Sequence, residues 1–282
     1  MTSILITGCS TGIGYHCAHA LKAEGYLVFA TARRQEDVDK LNSEGLLSTT
    51  LDLNDEESID QALNWVLARS NGKIDALFNN GAYGQPGAVE DLSRDTLRMQ
   101  FETNLFGTHE LTCKVLRIMR EQGHGRIIQN SSVLGLITMK YRGAYNASKF
   151  ALEGLTDTLR QELSGTNISI SLIEPGPIES DFRKNAYKAF QRNIDSHSGA
   201  HQAVYRSVEK RLSKTEDSRK KDPFTLGPEA VYKALKHALE SPKPKTRYYV
   251  TFPTWLFSIL RRLLPTWALD WILCKVSDDE NK

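Results

Sequence analysis

The sequence predicts an α/β fold in which helices cover both faces of a doubly wound, parallel β-sheet. The first observation is that short β-rich runs alternate with helical stretches along most of the 282 residues. The second is that the strand candidates are continuous apolar runs, without alternation between apolar and polar residues. A sheet that is buried on both faces requires such runs, so we expect a doubly wound sheet.

Seven β-rich runs are the strand candidates of this sheet, at 3–7, 26–32, 46–53, 74–80, 125–132, 168–175 and 246–252. Helical patterns stand between them, at 16–25, 58–70, 109–123 and 149–163. The alternation stops at 182–226, which is mostly charged and polar and is longer than an ordinary loop. We expect this insertion to contain short helices and to form a mobile cover over the substrate.

The composition limits the classes of function. With 36 basic and 34 acidic residues, the charge is nearly balanced and gives no reason to expect nucleic acid as a partner. The four cysteines include no C-x-x-C pair, so neither a disulfide framework nor a zinc ribbon is expected. No metal site is expected, because the pairs His16 with His19 and His197 with His201 lack a third ligand. The start of the chain leaves no room for a signal peptide, so we expect a cytoplasmic location.

The C-terminal tail, 252–282, is conspicuously apolar. Before the tail reaches the roughly 20 residues that span a bilayer, it is interrupted by Arg261, Arg262, Pro265 and Asp270. We therefore expect no transmembrane helix. The preferred interpretation is that the tail packs on the body of the protein. The alternative is a helix that lies on a membrane surface and is anchored by Trp255, Trp267 and Trp271.

A glycine-rich motif, TGCSTGIG at 7–14, stands between the first strand and the first helix. Glycine permits a tight turn and lets a pyrophosphate approach the backbone, while the helix N-terminus offers free N–H groups and the positive end of a dipole. The motif therefore predicts a nucleotide site, and a glycine-rich turn without a ligand is the alternative. The candidate binding residues are Gly8, Ser10, Thr11, Gly12, Ile13 and Gly14.

The pattern Tyr-x-x-x-Lys occurs twice, at Tyr145 with Lys149 and at Tyr232 with Lys236. Residues four positions apart share one face of a helix, so each pair would point in one direction. Tyr145 also has a serine, Ser132, thirteen residues before it at the end of a strand candidate. A phenol, an amine and a hydroxyl can together move a proton to or from an oxygen atom during hydride transfer. This context favours the first copy, and we interpret the second as the surface of an amphipathic helix.

Six segments occur in the order found in the short-chain dehydrogenase/reductase family, which the chain resembles over about two thirds of its length: TGCSTGIG, NNGAYG, Asn104, NSS, YNASK and PGPIES. The resemblance implies a single Rossmann-type domain over 1–282, with about seven parallel strands and a nicotinamide cofactor. It also implies a homodimer or homotetramer, because the helices around 114–122 and 154–163 resemble those through which family members dimerise. The alternative is that these are amphipathic helices that only cover the sheet, which have the same pattern.

The same resemblance assigns catalytic roles to four residues. Tyr145 is the proton donor, and Ser132 donates a hydrogen bond to the same substrate oxygen. Lys149 binds the nicotinamide ribose and passes protons toward a water held by the backbone of Asn104. Positive charge from Lys149 and from an oxidised nicotinamide ring is expected to favour the phenolate form of Tyr145. Ser131 is the alternative to Ser132, and the family's thirteen-residue interval selects Ser132.

Two arginines, Arg33 and Arg34, follow the second strand, where family members that bind the ribose 2′-hydroxyl carry an acidic residue. Because an arginine pairs with a 2′-phosphate and a carboxylate would repel it, we prefer NADP (NADPH) to NAD. The alternative is that these arginines only decorate a helix start. The resemblance adds cofactor-binding candidates in later loops: Asp52, Leu53, Asn79, Pro175, Ile178 and Ser180. For Asp52 the alternative is a helix-capping or turn carboxylate.

One segment departs from the family pattern, since NNGA at 79–82 stands where the family usually reads Asn-Asn-Ala-Gly. Glycine adopts positive φ angles that alanine avoids, so the exchange of Gly81 and Ala82 is expected to alter the turn beside the adenosine. Asn79 should keep its role, and Gly84 is a candidate for compensation.

The end of the chain is similar to a subgroup with a bacterial NADP-dependent aldehyde reductase and, more loosely, to hydroxysteroid and retinol dehydrogenases. This resemblance implies a small, apolar carbonyl or alcohol substrate. We expect an NADP-dependent oxidoreductase, a carbonyl or aldehyde reductase that reduces an aldehyde or ketone to an alcohol. One alternative is a steroid or retinoid alcohol dehydrogenase associated with a membrane surface. Another is a non-catalytic NADP-binding regulator, which would most simply lack the serine, the tyrosine or the lysine.

Overall fold

The computed structural model describes residues 1–213 and 223–280, and a parallel β-sheet forms its centre. The strands are β1 (Ser3–Ile6), β2 (Leu27–Ala32), β3 (Leu47–Thr50), β4 (Ala76–Asn79), β5 (Gly125–Asn130), β6 (Ile168–Glu174) and β7 (Arg247–Tyr249). They are ordered β3-β2-β1-β4-β5-β6-β7, and every pairing is parallel. The predicted doubly wound, Rossmann-type sheet is confirmed.

Helices connect the strands and cover both faces of the sheet. The described residues form α1 (Gly12–Ala23), α2 (Gln35–Ser43), α3 (Glu56–Arg69), α4 (Arg94–Phe101), α5 (Thr108–Gln122), α6 (Gly143–Glu162), α7 (Phe182–Asn193), α8 (Gln202–Ser213), α9 (Glu229–Glu240), α10 (Phe252–Leu263) and α11 (Thr266–Glu280). The predicted strand at 246–252 is shorter than expected, because its last residue, Phe252, begins α10 instead.

Strand β1 shows why its apolar run is continuous. Ile4 and Ile6 face one core with α1 and α9, where Leu21 and Leu235 are fully buried. Leu5 faces the opposite core, which also contains residues of α3 and α5. Successive side chains of a strand point to opposite faces, so a strand with helices on both sides is apolar throughout.

The strand order creates a crevice at one edge of the sheet. Strand β1 pairs with β2 on one side and with β4 on the other, so the chain turns in opposite directions at this point. Ligands of open α/β sheets bind outside the carboxyl ends of the strands at such a switch point. The loops after β1, β4 and β5 meet there.

The region 182–226 contains more regular structure than its polar sequence indicates. Helices α7 and α8, each of 12 residues, enclose a small core in which Phe190, Tyr205 and Val208 are fully buried. The Tyr205 hydroxyl accepts a hydrogen bond from Ala88 N at 3.1 Å and donates one to Asp91. The helical pattern is weak because each helix buries only three side chains. Residues 214–222 of this region lie outside the described residues.

The apolar tail forms α10 and α11, which are separated at Pro265. One face of the pair packs on the loop after β5, where Leu273 joins a cluster with Leu134 and Ile137. The two helices also expose three large aromatic side chains, with 52%, 76% and 66% of the surface accessible for Trp255, Trp267 and Trp271. Within 1–213 and 223–280, every helix is too short or too polar to cross a membrane.

Candidate active site

The glycine-rich loop between β1 and α1 has a backbone that requires glycine. Gly8 and Gly12 have positive φ angles of 71° and 60°. A Cβ atom on Gly14 would lie only 2.3 Å from the carbonyl oxygen of Gly8. The loop is therefore folded tightly against the start of α1, with Ser10 half-buried and Thr11 exposed at its turn.

The N-terminus of α1 is open toward this crevice. Thr11 is the N-cap residue, but its side chain makes no capping hydrogen bond with any described residue. The first turn of α1 contains no acidic residue. Because the first N–H groups of a helix lack intrahelical partners, those of Gly12, Ile13 and Gly14 can bind an anion, assisted by the helix dipole. These features fit the pyrophosphate of a dinucleotide.

Asn80, which sequence reasoning missed, holds three loops together beneath this turn. Its side-chain Nδ2 donates to Thr7 O at 2.9 Å and to Gly8 O at 3.2 Å. Its Oδ1 accepts from Asn130 Nδ2 at 2.9 Å, and its backbone N donates to Thr7 Oγ1 at 2.9 Å. Asn80 therefore fixes the glycine-rich loop to the ends of β4 and β5. An asparagine at the end of each of two strands is the sequence signal for this arrangement.

Asn79 lies one residue earlier, and its side chain points the other way. It is buried and donates from Nδ2 to Thr112 Oγ1 of α5 at 2.8 Å. The carry-over from the family placed Asn79 among the cofactor-binding residues, but its side chain lies on the α5 face of the sheet.

The exchanged pair Gly81–Ala82 does not adopt the positive φ angles that glycine permits. Neither residue has a positive φ, and Gly84 does not either. A Cβ atom on Gly81 would lie 3.3 Å from Thr7 Oγ1, a close contact that needs a small adjustment. The expected change in the turn therefore has no counterpart in the backbone angles. A Cβ at Gly84 would lie 2.8 Å from the ring of Phe182, so a larger residue there would require this ring to move.

The structure separates the two arginines that follow β2. Arg34 is the N-cap residue of α2 and is occupied by two carboxylates, Glu36 at 2.7 Å and Asp37 at 2.9 Å. Arg33 is exposed and forms no hydrogen bond or ion pair with any described residue. Arg34 is therefore the residue that only marks the start of a helix, as the alternative interpretation proposed. Arg33 is available to bind an anionic ligand.

Asp52 and Leu53 follow β3 at the same edge of the sheet. Asp52 Oδ1 accepts a hydrogen bond from Asn54 N at 3.0 Å, so this carboxylate does form a local turn. The N-cap residue of α3 is Asp55. Leu53 lies so close to Gly107 that a Cβ there would be 1.7 Å from Leu53 O.

The loop after β6 lies across the glycine-rich loop. Pro175 O accepts a hydrogen bond from Val133 N at 2.8 Å, which joins this loop to the one after β5. A Cβ atom on Gly12 would lie 2.9 Å from Ser180 Cβ, so Ser180 faces the start of α1. Ile178 forms an isolated parallel bridge with Leu226, which brings the end of the cover region to this loop.

Tyr145 and Ser132 face each other at the carboxyl edge of β5. Burial raises the pKa of the Tyr145 phenol to about 12, and the nearby Ser132 hydroxyl partly offsets this rise. Ser132 Oγ also accepts a hydrogen bond from Leu134 N at 3.1 Å, which fixes its position. Burial therefore keeps the phenol protonated at neutral pH.

Lys149 is the buried base of the site, with only 3% of its surface exposed. Its Nζ atom donates to Asn130 O at 2.7 Å and lies 5.7 Å from the centre of the Tyr145 ring. Burial lowers the pKa of Lys149 to about 8, and the carboxylate of Glu153 partly offsets this effect. An amine with this pKa can both bind and release a proton near neutral pH.

Asn104 lies in a π-helical stretch, Glu102–Gly107, between α4 and α5. Its side chain is buried and binds both backbone groups of Tyr83. Oδ1 accepts a hydrogen bond from Tyr83 N at 3.1 Å, and Nδ2 donates one to Tyr83 O at 2.9 Å. Nδ2 also donates to Ser148 Oγ of α6 at 3.1 Å. The side chain thus ties this stretch to α6, and π-helical segments of this kind occur frequently at functional sites.

The wall beside Tyr145 is apolar. The Tyr145 ring packs edge-on against Phe182 of α7, with centroids 5.3 Å apart. It also joins a cluster formed by the loop after β5 and by the two tail helices: Val133, Leu134, Ile137, Met139, Phe257, Leu269 and Leu273. The cover region and the tail therefore both contribute to the surroundings of the phenol.

A sequence model described as short chain dehydrogenase matches residues 2–191. The chain belongs to the short-chain dehydrogenase/reductase family. It is therefore an NAD(P)-dependent oxidoreductase, and the order of its motifs, its strand order and its Ser132, Tyr145 and Lys149 constellation agree with this membership.

Similar proteins support the same family. The chain is 42% identical over 271 residues to the uncharacterized oxidoreductase YbbO of Escherichia coli strain K12. The aligned region covers 96% of this chain and 93% of YbbO. It is 30% identical over 284 residues to the NADPH-dependent 3-dehydrocapnine reductase of Ornithobacterium rhinotracheale, with 98% and 97% covered. The closed form of a serine dehydrogenase complexed with NADP+ has a similar structure, with a TM-score of 0.75, 25% identity and 90% and 96% covered.

Proposed function

We propose that this protein is an NADPH-dependent reductase that converts an aldehyde or ketone to an alcohol, with Tyr145 as the proton donor. The observation that carries the proposal is the arrangement around Tyr145. Its phenol is buried, faces the Ser132 hydroxyl and lies near the buried Lys149 amine, whose Nζ is 5.7 Å from the centre of the ring. A carbonyl that accepts a hydride needs a proton at its oxygen, and a protonated phenol supplies one.

The proposed mechanism assigns each step on the protein side to a residue. When bound, the nicotinamide cofactor supplies the hydride. Tyr145 gives its proton to the developing alkoxide, while Ser132 donates a hydrogen bond to the same oxygen and keeps it in place. Lys149 holds the ribose end of the cofactor and, with its charge near Tyr145, favours loss of the phenolic proton during the reaction. The backbone of Asn104 is assigned to the water that continues the proton path.

Arg33 supports the choice of NADPH. It is exposed at the end of β2 without a partner among the described residues, whereas Arg34 is neutralised by Glu36 and Asp37. A free guanidinium at this position would bind the 2′-phosphate of NADPH. The remaining cofactor contacts are assigned to the glycine-rich loop, to Asp52 and Leu53, to the backbone of Asn79 and to the loop from Pro175 to Ser180.

The apolar wall beside Tyr145 supports an apolar substrate. Aromatic and aliphatic side chains from α7, α10, α11 and the loop after β5 surround the phenol. Such a wall would bury a hydrocarbon group and leave the carbonyl oxygen to the two hydroxyls. We extend the proposal to a cytoplasmic protein of one domain. We also propose that it assembles as a homodimer or homotetramer, and light scattering coupled to size-exclusion chromatography would test this assembly.

The direct test is to mix the pure protein with NADPH or NADH and a panel of carbonyl compounds. The panel contains aliphatic aldehydes, aromatic aldehydes, quinones, retinal and ketosteroids. We expect NADPH to be consumed with at least one apolar compound of the panel. NADH should be consumed more slowly with the same compound. Consumption only of NADH, or oxidation of alcohols without any reduction of carbonyls, would contradict the proposal.

The exposed tryptophans of the tail favour a second candidate, a steroid or retinoid alcohol dehydrogenase at a membrane surface. Trp255, Trp267 and Trp271 are all exposed, and tryptophan is enriched at the interface between membrane and water. Deleting the tail would remove Leu273 from the wall beside Tyr145, so replacing the three tryptophans by serine is the cleaner test. This candidate predicts that the wild type co-sediments with lipid vesicles and the triple variant does not. A wild type that stays in the supernatant would exclude it.

A further inference from the structure

The segment 83–85, which follows β4, lies along one face of the helix that leads to Asn104. Gln100 in α4 and Asn104 in the π-helical stretch are four residues apart, and both side chains are buried, with 0% and 1% of their surfaces exposed. Gln100 Oε1 accepts a hydrogen bond from Gln85 N at 2.7 Å, and Gln100 Nε2 donates one to Tyr83 O at 2.9 Å. Asn104 binds the N–H and the carbonyl group of Tyr83. Two amide side chains therefore hold the backbone of this segment.

Both ends of the cover helix α7 contact the same segment. Gly84 lies beside Phe182, the first residue of α7, since a Cβ atom on Gly84 would be 2.8 Å from the ring. Gln85 Oε1 accepts a hydrogen bond from Nδ2 of Asn193, the last residue of α7, at 2.7 Å. Gln85 is buried, and its Nε2 donates to the carbonyl group of the next residue at 2.8 Å, which fixes the orientation of its amide. The position of α7 therefore depends on this segment.

The segment also borders Tyr145. A Cβ atom on Gly84 would lie 3.6 Å from the Tyr145 ring, and Phe182 packs edge-on against that ring with centroids 5.3 Å apart. Phe182 belongs to the apolar wall that we assign to the substrate. A continuous series of contacts thus runs from Gln100 through the segment 83–85 and α7 to this wall.

We propose that Gln100 is a positioning residue that holds the segment 83–85 in place, so that α7 keeps Phe182 against the apolar group of the substrate. The inference rests on the proposed function, because it assigns the wall beside Tyr145 to an apolar carbonyl compound. Gln100 acts through Phe182 and not by contact with the reacting atoms. Its amide binds one carbonyl group and one N–H group, and an apolar side chain in its place would leave Gln85 N without an acceptor.

A purely structural role for Gln100 makes a different prediction. Loss of a buried hydrogen bond lowers the stability of a protein wherever the bond lies. A smaller amount of folded enzyme would lower the rate by the same factor for every substrate. Displacement of Phe182 would weaken binding most for the substrates with the largest apolar groups, because these bury the most surface against the wall.

The first test compares KM for the carbonyl compounds of the panel between wild type and Gln100→Met. Methionine fills a similar space but makes neither of the two hydrogen bonds. We expect KM to rise about tenfold for the compound with the largest apolar group that is reduced. For the smallest compound KM should change little, and the Kd for NADPH should also change little. An equal increase for all compounds, or no increase, would overturn the inference.

Gln122 at the end of α5 provides a matched control, because its amide binds another backbone segment in the same way. Its Oε1 accepts a hydrogen bond from Ile74 N at 3.3 Å, and its Nε2 donates one to Ile74 O at 2.9 Å. Ile74 precedes β4 and so lies at the amino ends of the strands, away from Tyr145. Gln122→Met should lower Tm and leave KM for every compound unchanged. A dependence of KM on substrate size in this variant would refute the assignment to Gln100.

Asn193→Ala tests the other end of this series of contacts. Asn193 is only half-buried, so this variant remains informative even if Gln100→Met does not fold. It should raise KM with the same dependence on substrate size. In the double variant, KM should equal that of Gln100→Met alone, because the segment that binds Asn193 is no longer held in place. If the two effects multiply, the two residues do not act through one segment and the inference is wrong.

Hydrogen exchange of the protein without substrate provides a measurement that does not depend on turnover. In Gln100→Met and in Asn193→Ala, the amides of α7 should exchange about tenfold faster than in wild type. The amides of α9 should exchange at the wild-type rate. Unchanged exchange in α7 would overturn the inference whatever the substrate is. Faster exchange in α7 without reduction of any carbonyl compound would support the assignment of Gln100 and contradict the proposed function alone.

Discussion

The two Tyr-x-x-x-Lys sequences lie on helices α6 and α9 and differ most in the surroundings of their lysines. Lys149 is buried, donates to Asn130 O and has a pKa lowered to about 8 by burial. Lys236 lies at the surface and pairs with Glu24 and, at 3.5 Å, with Glu240. Its hydrogen bond to Glu24 raises its pKa. The same spacing therefore yields a titratable base on one helix and a permanent surface cation on the other.

The tyrosines differ in a corresponding way. Tyr145 faces the Ser132 hydroxyl at the carboxyl edge of β5, where ligands of this fold bind. Tyr232 packs edge-on against His16 of α1, with centroids 5.9 Å apart, in the layer that covers the sheet. A spacing of four defines one helix face, but the position of that face relative to the sheet decides whether it meets a substrate.

The largest expected effect distinguishes the two tyrosines. Tyr145→Phe should lower kcat for carbonyl reduction by roughly 10²- to 10⁴-fold, because the proton donor is lost. Tyr232→Phe should keep the wild-type rate. Steady-state kinetics measures both, and fluorescence titration with NADPH shows whether the cofactor still binds. A Tyr145→Phe variant with a near-normal rate would show that the site is elsewhere.

The two lysines should follow with a smaller difference. Lys149→Met should lower kcat by about 10²-fold, whereas Lys236→Met removes only a surface ion pair and should leave kcat unchanged. In the wild type, the rate of reduction should fall as the pH rises through about 8, because Lys149 loses its proton there. Lys149→Met should lose this pH dependence. An unchanged pH profile in Lys149→Met would contradict the assignment.

The arginines after β2 offer a comparison of neighbours in the cofactor site. Arg33→Ala should raise KM for NADPH about tenfold or more and leave KM for NADH nearly unchanged, because a charged hydrogen bond to the 2′-phosphate is lost. Arg34→Ala should have a much smaller effect, since Arg34 is already paired with Glu36 and Asp37. Equal changes with the two cofactors would remove the argument for NADPH.

The smallest expected effect concerns stability and contrasts Glu174 beside α6 with Glu24 beside α9. The pKa of Glu174 is raised from 4.5 to about 8, so between these pH values the folded protein holds a proton that the unfolded chain has released. Stability from this group therefore falls as the pH rises through that window. Glu174→Gln stays neutral, so its Tm relative to wild type should be higher at pH 9 than at pH 5, by about 2 °C or more.

Glu24 should show the opposite sign. Its pairing with Lys236 lowers its pKa, so it contributes stability above its unfolded pKa and loses it as the pH falls. Glu24→Gln should therefore lower Tm slightly at pH 7 and have no effect in acid. Differential scanning calorimetry at three pH values measures both variants. If the change in Tm depended on pH with the same sign in both variants, the raised pKa of Glu174 would be contradicted.

Local patterns in the sequence predict the sheet, the glycine-rich turn and the helix that carries Tyr145 and Lys149. Each depends on residues close together in the chain, whose spacing determines turns and helix faces. Asn79 and Asn80 show where such reasoning ends. Adjacent residues of a strand face opposite sides, and the sequence does not indicate which asparagine faces the crevice. The family pattern favoured Asn79, and the structure turns the side chain of Asn80 toward the glycine-rich loop.

Contacts between distant segments account for the other differences. Arg247 meets Glu153 and Glu174 from 94 and 73 residues away, and no local pattern links these positions. The core between α7 and α8 is similar, because it depends on a few buried side chains in a polar sequence and on a hydroxyl that reaches residues 88 and 91. The sequence therefore predicts the residues of the candidate site better than the contacts between distant segments that surround them.

The central claim is that this protein transfers hydride from NADPH to a carbonyl carbon with Tyr145 as the acid. The most direct measurement uses NADPH deuterated at nicotinamide C4, an apolar aldehyde or ketone from the panel, and mass spectrometry of the product. We predict an alcohol with deuterium on its carbinol carbon from the wild type and from Tyr232→Phe, and almost none from Tyr145→Phe. Binding of NADPH without a deuterated alcohol from any carbonyl compound, or equal transfer by Tyr145→Phe, would contradict the claim.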